Sequence, residues 1–352
     1  MYIPRYSQTA VELLRRIRRG VYKDKLPPMR ELAAEFNIAI QTMFNAVQLL
    51  VQKELLIPCG SGGMLIDCSK LPCGLVAIAV YDSMLAHSSS FDNLTQQIND
   101  DGFTPVFLGI PRKQPPFMAK RLFKADLAGV IFLYSAINPE FCEVLTNQQI
   151  PFVSANIMPG VKNVNFVERN NFGCMEQLVK MLYEKGYRKI AINLVSPLEG
   201  YIRFCGCQWR KILKKYDLEY SAYNSFRDEF PVMGSEEVFE NVAAEPLKNK
   251  NDLPEVVIHW SGSGIKTVKS YANTDTLLLL SKNTIKDEYV PENAVCFSTV
   301  SSTVQQCNDL WDLLLSMTIG GAGKTVHWFI DTECKLHDEI PNIYEYKKQV
   351  KK

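Results

Sequence analysis

Residues 26–50, Leu-Pro-Pro-Met-Arg-Glu-Leu-Ala-Ala-Glu-Phe-Asn-Ile-Ala-Ile-Gln-Thr-Met-Phe-Asn-Ala-Val-Gln-Leu-Leu, hold two short helical patterns back to back. Pro27 and Pro28 suit a helix start, because proline is pre-set for the first turn and lacks an N–H that would be orphaned there. Leu32, Ala33 and Phe36 form one apolar face. Asn37 follows, a residue that tolerates the left-handed backbone of a tight turn. From Ile40 onward, Met43, Ala46, Val47 and Leu50 recur at the spacing of a single buried stripe. Two short helices joined by so tight a turn predict a helix-turn-helix, whose second helix enters the major groove of DNA.

The outward face of that second helix carries Ile40, Gln41, Phe44, Asn45 and Gln48. Gln and Asn can bond bidentately to adenine, and apolar side chains can meet a thymine methyl. A plain helical hairpin with a polar outer face gives the same pattern, and the residues that follow help to separate the two. Leu55-Leu56-Ile57 and Met64-Leu65-Ile66 flank Cys59-Gly60-Ser61-Gly62-Gly63, the pattern of a two-stranded wing with a glycine tip. Without side chains, Gly62 and its neighbours, with Ser61, can approach a phosphate backbone closely.

The chain has 352 residues, enough for two or three domains, and its 47% hydrophobic and 22% charged residues are ordinary for a soluble globular protein. Residues 1–66 carry nine Lys and Arg against five Asp and Glu, while the remainder is slightly acidic. A basic head on a slightly acidic body suits a head that meets phosphate, with Arg15 and Arg19 of the first helix as candidate contacts. A solvated basic helix face is the alternative for Arg15, Arg16, Arg18 and Arg19. The ten cysteines are scattered, and Cys205-Gly206-Cys207 lacks metal-site spacing, so reduced thiols are expected and no metal or cofactor. Neither a signal peptide nor an apolar run of membrane-spanning length is seen, so a cytoplasmic protein without a membrane partner is expected.

Residues 7–19 predict the first helix, ended by Gly20, and the head runs to Ile66. Residues 67–74 are a linker of proline, glycine and small polar residues. Beyond Gly74, β-prone apolar runs alternate with helical patterns: 75–81, 104–108, 127–134, 151–155, 189–195, 255–260, 276–280, 294–298 and 325–330 as strands, with helices over 90–101, 139–148, 171–185, 201–215, 235–244, 265–271 and 302–317. Repeated βα units imply parallel sheets covered by helices. The fold class is therefore α/β, an N-terminal winged helix-turn-helix followed by a two-lobed body over 75–340. Lobe 1 is expected over about 75–160 and 292–320, lobe 2 over about 161–291 and 321–340, and 341–352 as a C-terminal tail.

The first 66 residues resemble the winged-helix domain of GntR-type bacterial transcription regulators. The matching pieces are Ile17-Arg18-Arg19-Gly20-Val21-Tyr22, Leu26-Pro27 with Arg30-Glu31-Leu32-Ala33, Thr42, Ala46 and the glycine wing. The resemblance implies DNA contacts at Arg30 and Thr42. Where that family usually has Ser, Arg and Thr, this chain has Ala39, Ile40 and Gln41, and Phe44 replaces a further Arg. The body resembles the effector-binding region of LacI/GalR-type regulators, itself similar to periplasmic sugar-binding proteins. Val167-Glu168-Arg169-Asn170-Asn171-Phe172-Gly173, Leu178, Leu182 and Gly186-Tyr187-Arg188-Lys189-Ile190-Ala191 track its central segment, and Arg203 with Gly206 matches a pair in which the arginine holds ligand oxygens. Departures fall at Arg169, at Ser261 and Gly262, and at Lys282, where carboxylates or amides are usual.

A neutral sugar is gripped by carboxylates that accept hydroxyl hydrogen bonds. Their loss, with Lys282 beside Arg203, argues for an acidic effector such as a uronate or sugar phosphate, or else for a degenerate cleft. Trp260 ends a strand and is a further pocket candidate, with a core tryptophan as the alternative, and Tyr81-Asp82-Ser83 end the first strand in the same way. Gly320-Gly321-Ala322-Gly323-Lys324-Thr325 ends like a phosphate-binding loop, but Thr318 stands at its first glycine and a strand follows it. His87, His259, His327 and His337 are far apart, and no nucleophile with a base, carboxylate pair or metal cluster stands out, so no catalytic residue is assigned. The expectation is a homodimeric regulator, a repressor, binding an approximate inverted repeat in double-stranded DNA and gated by a sugar or acidic sugar derivative between two lobes. The alternative is a ligand-blind dimeric DNA-binding protein.

Overall fold

The computed structural model describes residues 3–60, 63–81, 91–111, 126–133, 136–157, 163–193, 199–218, 253–260, 274–282, 290–300, 303–320 and 325–350. Two compact units emerge: residues 1–169 with 302–330, and residues 170–301 with 331–352.

Unit 1 opens with α1 (Arg5–Arg18), whose Ala10, Leu13, Leu14 and Ile17 are buried at helical spacing. Gly20 follows it with φ +72° and lets the chain turn back. β1 (Lys25–Leu26) leads to α2 (Met29–Glu35), which starts directly after Pro28. Asn37 adopts φ +49° in the turn, and α3 (Ile40–Gln52) then buries Met43, Ala46, Val47, Leu49 and Leu50. β2 (Leu56–Cys59) and β3 (Gly63–Ile66) form an antiparallel hairpin with Cys59 opposite Gly63, and β1 pairs with β3 on its other side. A short 3-10 turn at Cys68–Lys70 and an extended segment carry the chain to β4 (Gly74–Tyr81).

From β4 the pattern is βα. α4 (Asp92–Asp100), β5 (Phe103–Ile110), β6 (Leu127–Phe132), α5 (Pro139–Asn147), β7 (Phe152–Ser154) and β8 (Asn165–Arg169) follow in turn. Near the end of the chain, α8 (Thr303–Thr318) and β13 (His327–Ile330) return to this unit. Among the described residues the sheet runs β13-β8-β7-β6-β4-β5, with every pairing parallel. Such strands are buried on both faces and read as apolar runs, as Val76–Val80 does. Leu13, Leu14 and Ile17 of α1 belong to the same core as Phe103, Leu310, Trp311 and Leu314.

Unit 2 contains α6 (Asn171–Glu184), β9 (Ile190–Asn193), α7 (Glu199–Lys215), β10 (Val256–His259), β11 (Leu277–Ser281), β12 (Ala294–Val300), β14 (Glu333–Leu336) and α9 (Ile343–Val350). The Asn170 side chain caps α6 by accepting the Gly173 N–H. The sheet runs β14-β12-β11-β10-β9, parallel except for β14. Among the described residues no helix is long and apolar enough to cross a membrane.

Several boundaries differ from the expected ones. β8 and β13 pair with each other in unit 1, not in the second lobe, and β12 lies in unit 2, not in the first. Apolar runs announce strands, but only pairing partners decide which sheet takes them. The expected C-terminal tail is in fact α9, whose Ile343 and Tyr346 join the core of unit 2. β8 and β14 carry no clear strand signal, because Glu168, Lys335 and their neighbours interrupt the apolar runs. The helices expected at 235–244 and 265–271 lie outside the described residues.

Candidate functional site

α3 separates two faces. Its buried stripe leaves Ile40 52% and Phe44 44% exposed, unusual for large apolar side chains on a helix that also buries five residues. Gln41 and Asn45 lie beside them, both exposed, and Gln41 Nε2 donates to Asn45 Oδ1 at 3.0 Å. Thr42 and Gln48 are half-buried. Thr42 borders a shallow cavity of about 310 Å³ that also touches Arg5, Asn37 and Ala39. Arg5 was not singled out from sequence; it reaches this turn because α1 begins there, and its guanidinium donates to the Asn37 carbonyl at 3.4 Å. Arg30 is exposed in the first turn of α2. At the hairpin, Gly60 has φ +51°, and a Cβ on Gly63 would collide with the Lys25 side chain. Lys25 therefore lies across the hairpin, while Ser61 and Gly62 fall outside the described residues.

The arginines of α1 are not a phosphate-facing row. Arg15 donates from Nε and Nη2 to Asp101, at 2.9 Å to Oδ2, and from Nη2 to Asp312 at 2.6 Å. Burial opposes its charge, yet these two carboxylates hold its pKa above the usual arginine value. Arg15 is thereby corrected from a nucleic-acid contact to an internal ion-pair partner. Arg16 is held by Glu12 and Glu35 and lies 4.1 Å over the Phe36 ring. Arg18 donates to the Pro72 carbonyl at 2.6 Å and covers the open side of Gly102, where φ is +75°. Arg19 is exposed but borders a cleft with Glu12, Asp100 and Asp312, so acidic groups surround it.

The strand ends of unit 2 bring together some of the expected ligand positions. Trp260 follows β10, half-buried, its ring centroid 5.5 Å from that of Phe297 on β12. Lys282 follows β11, half-buried, and its N–H donates to the Phe297 carbonyl at 2.8 Å. Both stand at the C-terminal edge of parallel strands, where open α/β sheets bind ligands. Arg203 lies in α7, and its side chain is outside the described residues. In unit 1, Tyr81 ends β4 and is buried, with Asp82 and Ser83 outside the described residues.

Three buried polar groups stand at strand ends; Asn193 and Glu168 carry no role in the sequence reading, and the third is His259. Asn193 Nδ2 and His259 Nδ1 meet at 2.8 Å at the ends of β9 and β10. Glu168, near the end of β8, accepts the Ile157 N–H at 3.1 Å through Oε2, and Oε1 has no partner among the described residues. Burial raises its pKa to about 7, against the pull of the Ile157 N–H, the Asn156 side chain and the Arg169 charge. A polar residue closing an apolar strand was the available signal in each case. Of the other histidines, His327 is exposed and stacks on Phe166, His337 is exposed and meets Ser298 Oγ at 2.6 Å, and His87 lies outside the described residues. Among the described residues no group of three or more His, Cys, Asp and Glu side chains could hold a metal ion.

No protein-family model and no curated protein matches the chain. Solved structures do. A transcriptional regulator CelR in complex with cellobiose is 15% identical over 88% of this chain and 98% of its own, with a TM-score of 0.59. The transcription regulator CcpA of Lactococcus lactis is 12% identical over 75% and 98%, with a TM-score of 0.59. A LacI-family regulator from Enterococcus faecium with bound ribose is 14% identical over 76% and 99%, with a TM-score of 0.56. At these identities the likeness is one of fold: this chain shares the parallel-sheet α/β architecture of those three solved structures.

Proposed function

We propose that the chain is a ligand-gated transcription regulator in which residues 1–66 form a GntR-type winged helix-turn-helix that binds operator DNA. The observation that carries this is the outer face of α3. It presents Ile40, Gln41, Phe44 and Asn45 to solvent, on a head whose Arg30 is also exposed and whose β2–β3 hairpin is read as the wing. A helix with an apolar inner stripe and an exposed outer row of amides and apolar groups fits a major groove. Arg30, with Arg19 at the margin, would position the head on phosphate, while Gln41, Thr42, Phe44, Asn45 and Gln48 would read bases.

The α/β body is the sensor. Its effector is a sugar or acidic sugar derivative, a uronate or sugar phosphate, taken at the strand ends of unit 2 by Lys282 and Trp260, with Arg203. The fold likeness to regulators solved with cellobiose and ribose supports a sugar-like ligand. The reading takes the regulator as a repressor and a homodimer, whose two-fold symmetry would match an inverted repeat. α1 shares its core with α8 and the sheet of unit 1, so a change in that unit reaches the head directly. No enzymatic activity is proposed.

The test is binding of the full chain to duplex DNA at several salt concentrations. Arg30→Ala should weaken all sequences alike and flatten the salt slope by about one unit. An unchanged affinity and slope would remove the DNA-binding reading. A thermal-shift screen of sugars, uronates and sugar phosphates tests the sensor, since a true effector raises the melting temperature by mass action. The absence of any shift favours the ligand-blind alternative.

A further inference from the structure

We infer that α3 reads A·T base pairs, with Ile40 and Phe44 packing on thymine methyl groups and the Gln41–Asn45 pair accepting adenine. The inference rests on the DNA-binding reading above and names the sequence class that the head takes.

Ile40 and Phe44 are one turn apart and so share a line along the helix; Gln41 and Asn45 form the neighbouring line. The hydrogen bond from Gln41 Nε2 to Asn45 Oδ1 uses one donor and one acceptor of the pair. It leaves Gln41 Oε1 as an acceptor and Asn45 Nδ2 as a donor. Adenine shows the complement in the major groove, the N6 donor and the N7 acceptor, whereas guanine shows two acceptors. Guanine is matched by Arg or Lys, and α3 contains neither. The cations of the head lie off this helix, at Arg5 beside Thr42, at the exposed Arg30 and at Lys25 over Gly63, where they suit phosphates. Two large apolar side chains exposed on the same face have one apolar feature to meet in a major groove, the thymine C5 methyl.

The experiment selects the full chain against a randomised pool of DNA duplexes and then measures the enriched duplex with every thymine replaced by deoxyuridine. A·T-rich half-sites are expected, with affinity falling about fourfold for each methyl contacted. Ile40→Ala and Phe44→Ala should each abolish part of the thymine–uracil difference while keeping the salt slope, and both positions are exposed, so the fold tolerates them. Enrichment of G·C half-sites, or equal affinity for the thymine and uracil duplexes, overturns the inference and leaves the head a DNA-binding module. Failure of any duplex to bind in a salt-dependent way overturns the DNA-binding reading and this inference with it.

Discussion

Asp101 and Glu168 are both buried carboxyl groups of unit 1, 5% and 1% exposed, and the protein treats them in opposite ways. Asp101 is surrounded by donors: Arg15 through two nitrogens, and the Trp311 indole N–H at 2.7 Å. Glu168 receives the Ile157 N–H and keeps an oxygen without a partner among the described residues. Their positions explain the contrast. Asp101 sits where α1 of the head, the α4–β5 turn and α8 meet, a junction also packed by Arg18 over Gly102 and by the Phe103–Trp311 edge contact. Glu168 lies one residue before the chain leaves unit 1, opposite Phe329 on β13, the other strand that ends at a unit boundary. A buried charge met by a cation and several donors fastens a junction, whereas one left short of partners makes stability depend on protonation.

The largest effect is expected from breaking the fastened side. Asp101→Ala strips Arg15 and Trp311 of a shared acceptor inside the core. Removing one member of a buried pair costs about 3 kcal/mol or more, because the other charge stays buried. Asp312 still faces Arg15, which sets the loss at the lower end of that range. Urea unfolding of the full chain measures it. A loss no greater than that of an exposed control such as Asp100→Ala would mean that the junction does not depend on this carboxylate.

Glu168→Gln should act with the opposite sign. Burial raises the folded pKa to about 7 from an ordinary 4.5. The folded state therefore holds a proton that the unfolded chain has released, and stability is lost as pH rises from 4.5 to 7. Glutamine removes that loss. The variant is expected to gain up to about 3 kcal/mol at pH 8, with the gain shrinking toward zero at pH 4. Thermal melts at both pH values decide it. An equal shift at each pH would show that Glu168 does not titrate between folded and unfolded states, and the contrast with Asp101 would fail.

The same two residues show what sequence could and could not tell. The stripes Ala10-Leu13-Leu14-Ile17 and Met43-Ala46-Val47-Leu50 were legible, because helical periodicity is local and packing obeys it. The outward amides Gln41 and Asn45 were legible for the same reason, since both face away from the stripe and are exposed, while Gln48 is half-buried. Arg15 was not. Its inward turn is set by Asp101 and Asp312, 86 and 297 residues away, and nothing nearby in sequence announces either. Glu168 lies between Val167 and Arg169 and reads as a surface residue until β8 is seen paired on both sides, with β7 and β13. The assignment of β12 and β13 to units failed likewise, since periodicity gives a strand but not its neighbours. Local patterns carried the head; long-range pairing carried the rest.

The smallest expected effect sharpens the comparison by asking whether the donors around Asp101 act together. Trp311→Phe keeps an aromatic ring, though a smaller one, against Phe103 and deletes the indole N–H that donates to Asp101 Oδ2. A hydrogen bond to a charged group is worth about 1.5–3 kcal/mol, and Arg15 still satisfies the same carboxylate, so a loss of about 1.5 kcal/mol is expected. Combining it with Asp101→Ala separates two accounts. If the indole and the guanidinium share one acceptor in a single network, the double variant loses less than the sum of the two, by about 1 kcal/mol. If the losses add, the tryptophan stabilises the core by packing alone, and the junction is an ion pair beside a ring, not a network around one carboxylate.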